Sequence, residues 1–269
     1  MPIQLADVVE ELGRSRKYRH LCRDTLRRIA FWSASRSSSQ NEALKRAKRK
    51  LHQVYGAYLQ GWDPQVAHGL LDSLPPTPQE DVLQAVCRQI LNQHTSTRER
   101  QGALDSLYAA IFEIVGRPKR LLDLGCGLHP FALPWMGLPP DCEYLAWEVD
   151  RRMVDLVNRF LTILGRRPSA QCRDVLANGP PRQADVVFLL KMLPCLEQQE
   201  RGCSEPLLRS LATPFVVVSF PARSIGGREK GMRAHYASAM GSILAECPWP
   251  VSTMEHGEEI FFILNKRGV

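Results

Sequence analysis

The run Arg120-Leu-Leu-Asp-Leu-Gly-Cys-Gly-Leu-His-Pro130 constrains this chain most. An apolar strand there feeds a glycine-rich turn, and Pro130 stands where a helix would open, because proline at a first helical position gives up a donor that has no partner there anyway. Strand, turn and helix in that order form a nucleotide cradle: Gly125 and Gly127 permit tight backbone geometry and let a ligand approach the main chain. The turn lacks the third glycine of dinucleotide sites, which packs helix on strand beside a pyrophosphate. Asp123 places a carboxylate just ahead of the loop. Such a charge attracts an ammonium or sulfonium and repels phosphate, so a cationic ligand such as S-adenosylmethionine suits it better than a pyrophosphate. A glycine pair of this kind also occurs in ordinary tight turns.

The chain has 269 residues, enough for one large domain or two smaller ones with a real core. No long apolar run predicts a membrane span, and the acidic N-terminus, with Asp7, Glu10 and Glu11, has no secretory apolar stretch, so a cytoplasmic protein is expected. Eight cysteines are scattered without a C-x-x-C pair among mostly apolar neighbours, which reads as reduced core thiols rather than disulfides or a metal site. The basic balance is uneven. Residues 1–60 carry 13 Lys or Arg against 5 Asp or Glu, a net of +8, which leaves the other 209 residues at −1 within the chain's +7. Clustered cations gain affinity for a polyanion by displacing counterions from phosphates; a solvated helical surface would have the same composition.

Residues 5–31 show apolar positions at helical spacing, with Arg14, Arg16, Lys17, Arg19, Arg23, Arg27 and Arg28 between them. A second basic helix is predicted over about Asn41 to Leu59, with Lys45, Arg46, Lys48, Arg49 and Lys50, and a third over about Pro78 to Leu91. Asp63-Pro64 marks a turn or helix start, and another helix is expected to run through about Val115. From Arg120 the texture changes to short apolar strands at 121–124, 144–147, 170–172, 186–190, 215–220 and 260–264, separated by helical or loop segments. This alternation predicts an α/β fold with a mainly parallel sheet covered on both faces. The last strand has no obvious crossover before it, so the sheet is expected to end in an antiparallel hairpin.

Ligands of open α/β sheets sit beyond the carboxyl ends of the strands. Glu148 ends the second strand about twenty residues past the glycine turn, where an acidic side chain can take both ribose hydroxyls, and Asp150 is the alternative at the same strand end. Asp174 ends the third strand, positioned to accept from an adenine amino group while Val175 supplies a donor and an apolar wall. An acid at one strand end is often only a helix cap. A glycine turn and acids at successive strand ends make that reading less apt for all three together.

Several motifs carry a resemblance. The basic helical N-terminal part, His94-x-Ser-Thr-x-Glu-Arg100, Asp123-x-Gly-Cys-Gly127, Lys191-Met-Leu-Pro194 and Ser219-Phe-Pro-Ala-Arg-Ser-Ile-Gly-Gly-Arg-Glu-Lys-Gly-Met232 follow one another in this order. Over essentially its whole length the chain resembles the aminoglycoside-resistance 16S rRNA methyltransferases that modify guanine 1405 at N7. The His94 to Arg100 and Ser219 to Met232 matches are specific, whereas the glycine turn alone marks only a class I methyltransferase.

The resemblance implies a class I, Rossmann-like S-adenosyl-L-methionine-dependent methyltransferase domain at 106–269, its last strand antiparallel, preceded by an all-helical docking domain at 1–105. It implies S-adenosyl-L-methionine as methyl donor and 16S rRNA within the 30S subunit as substrate, with no obligate protein partner, a monomer and no membrane. Carried over by position, His94, Thr95, Ser96 and Arg100 reach the cofactor, Arg100 by pairing its carboxylate, and Gly125 backs the methionine. Glu148 holds the ribose, Asp174 and Val175 hold adenine, and Leu190 with Gln199 completes the pocket. Without the resemblance the His94 run reads as a helix cap with exposed charges, and Gln199 as part of a solvated helix face. Lys17, Arg19, Arg46, Lys48, Arg49 and Lys50 are expected to dock on rRNA. Arg223, Arg228, Lys230 and Arg233 are expected to grip phosphates around a base turned out of its helix, with Met232 or Tyr236 for stacking; a glycine-rich basic loop can also simply be disordered. Guanine N7 carries a lone pair and no proton, so no general base, metal or other catalytic residue is expected. Other readings are a methyltransferase for another rRNA or tRNA base and a non-catalytic ribosome-binding factor.

Overall fold

The computed structural model describes residues 3–56, 62–179, 183–221, 232–245 and 247–267. The basic N-terminal segment folds as three helices, α1 (Leu5–Arg14), α2 (Arg23–Ala34) and α3 (Gln40–Leu51), extended by a π-helical turn at His52–Gly56. Ser39 caps α3 by accepting from the Glu42 amide, and residues 15–22 interrupt the helical spacing between α1 and α2. Val8, Leu12, Leu26, Ile29, Ala43, Ala47 and Leu51 close on one another in a small core of their own.

Four further helices follow: α4 (Pro64–Asp72), α5 (Glu80–Leu91), the short α6 (Thr95–Arg98) and α7 (Leu104–Val115). Asp63 caps α4, and Pro64 occupies its first turn, as the Asp-Pro pair predicts. Leu71, Ile90, Leu107 and Ile111 of these helices share one continuous core with Leu121, Phe160 and Val217 of the sheet region. The expected boundary after residue 105 thus falls inside a common core, and the unit with separate packing is α1 to α3.

The remainder alternates strand and helix: β1 (Arg120–Leu124), α8 (Leu133–Met136), β2 (Glu143–Glu148), α9 (Arg151–Ile163), β3 (Ala170–Cys172), α10 (Val175–Asn178), β4 (Val186–Leu190), α11 (Leu193–Gln199), α12 (Ser204–Ser210), β5 (Phe215–Pro221), α13 (Met232–Leu244), β6 (Val251–His256) and β7 (Glu259–Asn265). The sheet order is β3-β2-β1-β4-β5-β7-β6. Strands β1 to β5 pair in parallel, whereas β7 runs antiparallel to β5 and closes a hairpin with β6 through Gly257 at φ +58°. Strand order reverses between β1 and β4, which opens a crevice at their carboxyl ends. The helix expected at Pro130 is short: a 3-10 turn at His129–Ala132 runs into the single turn of α8, which Gly137 ends in the left-handed region.

The N-terminal unit is tied to this sheet by backbone. Cys22 N donates to Val149 O at 2.8 Å and Arg151 N to His20 O at 2.9 Å, around a bridge between Leu21 and Asp150.

Asp123 departs from expectation. Rather than facing a ligand it is 1% exposed, and its Oδ2 accepts from Tyr144 Oη at 2.6 Å and pairs with His129 Nδ1 at 2.7 Å, while His129 Nε2 meets Tyr108 Oη at 2.9 Å. A charge inside the core has to be satisfied by local partners, so this carboxylate braces the glycine loop from behind. Asp123→Ala strands two buried polar groups and should cost about 3 kcal/mol of unfolding free energy in urea titration. A loss within the range of ordinary surface substitutions would contradict the network.

Candidate functional site

The crevice holds a cavity floored by the glycine loop and walled by the ends of β2, β3 and β4. Gly125 (φ +65°) and Gly127 (φ +51°) both occupy the left-handed region. A Cβ on Gly125 would stand 1.8 Å from Met192 Sδ, so the loop and the segment after β4 approach as closely as glycine allows.

Glu148 stands at the end of β2 with both carboxylate oxygens braced by backbone: Oε1 accepts from the Val149 and Asp150 amides at 2.7 and 3.1 Å, and Oε2 from the Gly127 amide at 2.9 Å. Burial raises its carboxyl above the ordinary range, opposed by those three N–H donors. Asp150, the alternative acid, lines the same cavity; it caps α9 through the Arg152 amide and takes Arg152 Nε at 3.0 Å and Nη2 at 2.5 Å.

Asp174 is both cap and cavity wall. Its Oδ1 accepts from the Leu176 amide, which starts α10, while Oδ2 takes Thr25 Oγ1 at 2.8 Å, Arg28 Nε at 3.1 Å and Arg28 Nη2 at 2.9 Å. The same Nη2 donates to Gln199 Oε1 at 2.5 Å. Helix α2 of the N-terminal unit therefore braces the lining residues Asp174 and Gln199, while Val54 and Tyr55 from the turn after α3 line the cavity themselves.

On the opposite side the 94–100 run folds over the crevice. His94 is buried against the loop, with Nδ1 2.8 Å from Ser96 Oγ. Burial, with the cations Lys191, Arg100 and Arg98, pushes its imidazole down to about 4 from 6.5. Lys191, left-handed at φ +56°, sends Nζ to Glu99 Oε2 at 2.5 Å and Glu259 Oε1 at 3.1 Å. Arg100, 4% exposed, pairs with Glu259 Oε2 at 2.9 Å, and Ser219 Oγ donates to the same oxygen at 2.8 Å. Burial would raise the Glu259 carboxyl, but the Arg100 and Lys191 cations hold it below its ordinary value.

The chain that builds this cavity has relatives among known proteins. The family model "Ribosomal RNA methyltransferase (FmrO)" matches residues 14–263. The chain belongs to this family. It is 38% identical over 261 residues to a 16S rRNA (guanine(1405)-N(7))-methyltransferase of Micromonospora rosea, covering 96% of this chain and 95% of that protein. It is 33% identical over 268 residues to the enzyme of that name from Serratia marcescens, covering 99% and 100%. Among solved structures, the 16S rRNA methyltransferase RmtF in complex with S-adenosyl-L-homocysteine superposes with a TM-score of 0.84 at 30% identity, covering 98% of this chain and 99% of that one.

In this member of the rRNA methyltransferase family, His94, Ser96, Gly125, Glu148, Asp174, Val175, Leu190 and Gln199 all line the one cavity. Thr95 and Arg100 are not among its lining residues. Of the expected docking cations, Lys17, Arg19, Lys48 and Arg49 are exposed, whereas Arg46 pairs with Glu42 at 2.9 Å. Lys50 is half-buried, donates to the Gln198 carbonyl and lies 4.7 Å from the Trp32 ring centre. Met232, Arg233 and Tyr236 belong to α13, and Arg223, Arg228 and Lys230 lie outside the described residues. Sequence reasoning missed Thr25, Arg28, Tyr55 and Met192. Arg28 was hidden among neighbouring arginines, and only Met192's position just after a strand end pointed to the cavity.

His94 makes a pH test. The folded protein keeps it neutral down to about pH 4, whereas the unfolded chain protonates it below 6.5. Its contribution to stability is complete above 6.5 and lost as pH falls through that window, a change on the order of 3 kcal/mol. Urea denaturation across the window should show a flatter slope for His94→Gln; an unchanged slope would contradict the assignment.

Proposed function

We propose that this chain transfers a methyl group from S-adenosyl-L-methionine to N7 of guanine 1405 of 16S rRNA in the assembled 30S subunit, and so confers aminoglycoside resistance. The observation that carries the reading is the correspondence with proteins of that activity across nearly the whole length, N-terminal helices included. A match to the methyltransferase domain alone would leave the target open. Methylation at N7 removes an acceptor and adds positive charge and bulk where a cationic drug would bind.

The residues present fit the cofactor. Gly125 keeps the main chain clear where a Cβ would strike Met192. Glu148 turns a braced carboxylate to the cavity, and the Nε of Arg100, buried without a hydrogen-bond partner among the described residues, suits the carboxylate of an amino acid. In this reading Gly125 backs the methionine, whose end is held by His94, Thr95, Ser96 and Arg100. Glu148 takes the ribose hydroxyls, and Asp174, Val175, Leu190 and Gln199 enclose adenine.

The bound cofactor supplies an electrophilic sulfonium methyl. Guanine N7 already presents its lone pair, so no side chain has to remove a proton, and the chain contributes position and field. A neutral His94 adds no positive charge beside a cationic sulfonium. Within the expected docking part, 1–105, the separately packed unit of helices α1 to α3 carries the docking cations, while 106–269, with the 94–100 run packed against it, carries the transfer. The exposed Lys17, Arg19, Lys48 and Arg49 meet rRNA phosphates together with Arg46 and Lys50, while Arg223, Arg228, Lys230 and Arg233 grip phosphates around the extruded base and Met232 or Tyr236 stacks on it. The enzyme acts as a monomer in the cytoplasm, where ribosomal subunits are found.

The test uses 30S subunits and naked 16S rRNA incubated with labelled S-adenosylmethionine, followed by borohydride and aniline cleavage. Cleavage at 1405 in subunits is expected; cleavage elsewhere overturns the target, and no transfer to subunits overturns the enzyme reading. Lys48→Glu with Arg49→Glu should weaken subunit binding about tenfold or more through lost phosphate contacts and leave cofactor affinity intact. An equal fall in cofactor affinity would contradict a docking role.

A further inference from the structure

We infer that Arg28, a residue of the N-terminal helical unit, is the positioning residue that sets the hydrogen-bond polarity of the adenine subsite and thereby the cofactor's base specificity. The inference rests on the proposed placement of adenine against Asp174.

The geometry is that of a shared donor. Arg28 Nη2 lies 2.9 Å from Asp174 Oδ2 and 2.5 Å from Gln199 Oε1, and Nε reaches the same Oδ2 at 3.1 Å. The pair is shielded, with side chains 17% and 3% exposed. A guanidinium has five donors and no acceptor. Only the carbonyl oxygen of Gln199 can therefore face Arg28, and the amide NH2 is left on the other side of a residue that lines the cavity. Asp174, paired with a permanent cation, is held as an acceptor. The Lys50 ammonium on the Gln198 carbonyl anchors the end of α11 from the same N-terminal unit.

One guanidinium thus fixes an acceptor and a donor side by side. Adenine matches that pair, because its amino group donates and its ring nitrogen accepts. Hypoxanthine reverses it: its carbonyl oxygen would face the Asp174 carboxylate, and its N1–H would face the Gln199 NH2. Buried polar groups left unmatched in this way discriminate strongly. Without Arg28 the Gln199 amide is free to rotate and offer its oxygen to N1–H.

The experiment is calorimetric titration of the full chain with S-adenosyl-L-homocysteine and with its deaminated analogue, S-inosyl-L-homocysteine. The native protein should prefer the adenosyl ligand by about a hundredfold. Arg28→Met should bind it about tenfold more weakly and see the preference collapse to within about threefold; Arg28→Lys, which cannot fork to both partners, should fall between. Arg28→Lys also gives the readout should the methionine variant not fold cooperatively. Arg27→Met, on the same helix but exposed and paired with Asp24 at 3.6 Å, should keep both affinities and so controls for the lost charge. If the Arg28 variants weaken both ligands by one factor and keep the preference, Arg28 is merely structural and the inference falls. Asp174→Asn separates the two levels. Collapse of the preference there but not in the Arg28 variants overturns only the inference, whereas an intact preference overturns the adenine placement and the inference with it.

Discussion

Asp174 is a carboxylate buried at the end of a strand, and a buried charge is tolerated only when paired and fully hydrogen-bonded. The pairing comes from another part of the molecule. Thr25 and Arg28 of α2 converge on Asp174 Oδ2, so docking of the N-terminal helices on the sheet satisfies the charge in the cavity wall. The Cys22–Val149 and Arg151–His20 backbone bonds hold that docking in register. The N-terminal helices and the cavity are in this sense one construction, although α1 to α3 pack around a core of their own.

The opposite wall obeys the same rule with the charges exchanged. Arg100 and Lys191 are cations withdrawn from water, and Glu259 from the antiparallel β7 answers both. The late hairpin therefore does more than finish the sheet. It delivers the counter-charge that keeps the 94–100 run folded over the crevice. Removing one partner from such a cluster leaves an uncompensated buried charge, which is far costlier than losing a surface pair.

The sheet was legible because fully buried strands are written as short apolar runs: Leu121 to Leu124, Val186 to Leu190 and Phe215 to Phe220 are strands as expected. The edge strand β6 was not, since Val-Ser-Thr-Met-Glu-His is largely exposed and polar between prolines at 250 and 248 and a glycine turn at 257. Acids at strand ends were legible as a set, but not their fates. Asp123 and Asp150 carry the same side chain as Asp174, yet buried tyrosine and histidine consume the first and Arg152 the second. Those partners lie at distances in sequence that no local pattern records. Arg28 was invisible as a site residue for the same reason: its 146-residue separation from Asp174 is bridged only by the fold, and in sequence it is one arginine among many.

The central claim is that the cofactor cavity is a joint between the N-terminal helices and the sheet. Amide hydrogen exchange of the full chain, with and without saturating S-adenosyl-L-homocysteine, addresses it directly. Binding should slow exchange in the glycine loop and at the ends of β2 and β4, and also in α2 and around Cys22 and Val149, because the ligand stabilises the docked state of both parts. Protection confined to residues 120–199, with α2 exchanging as in the free protein, would contradict it.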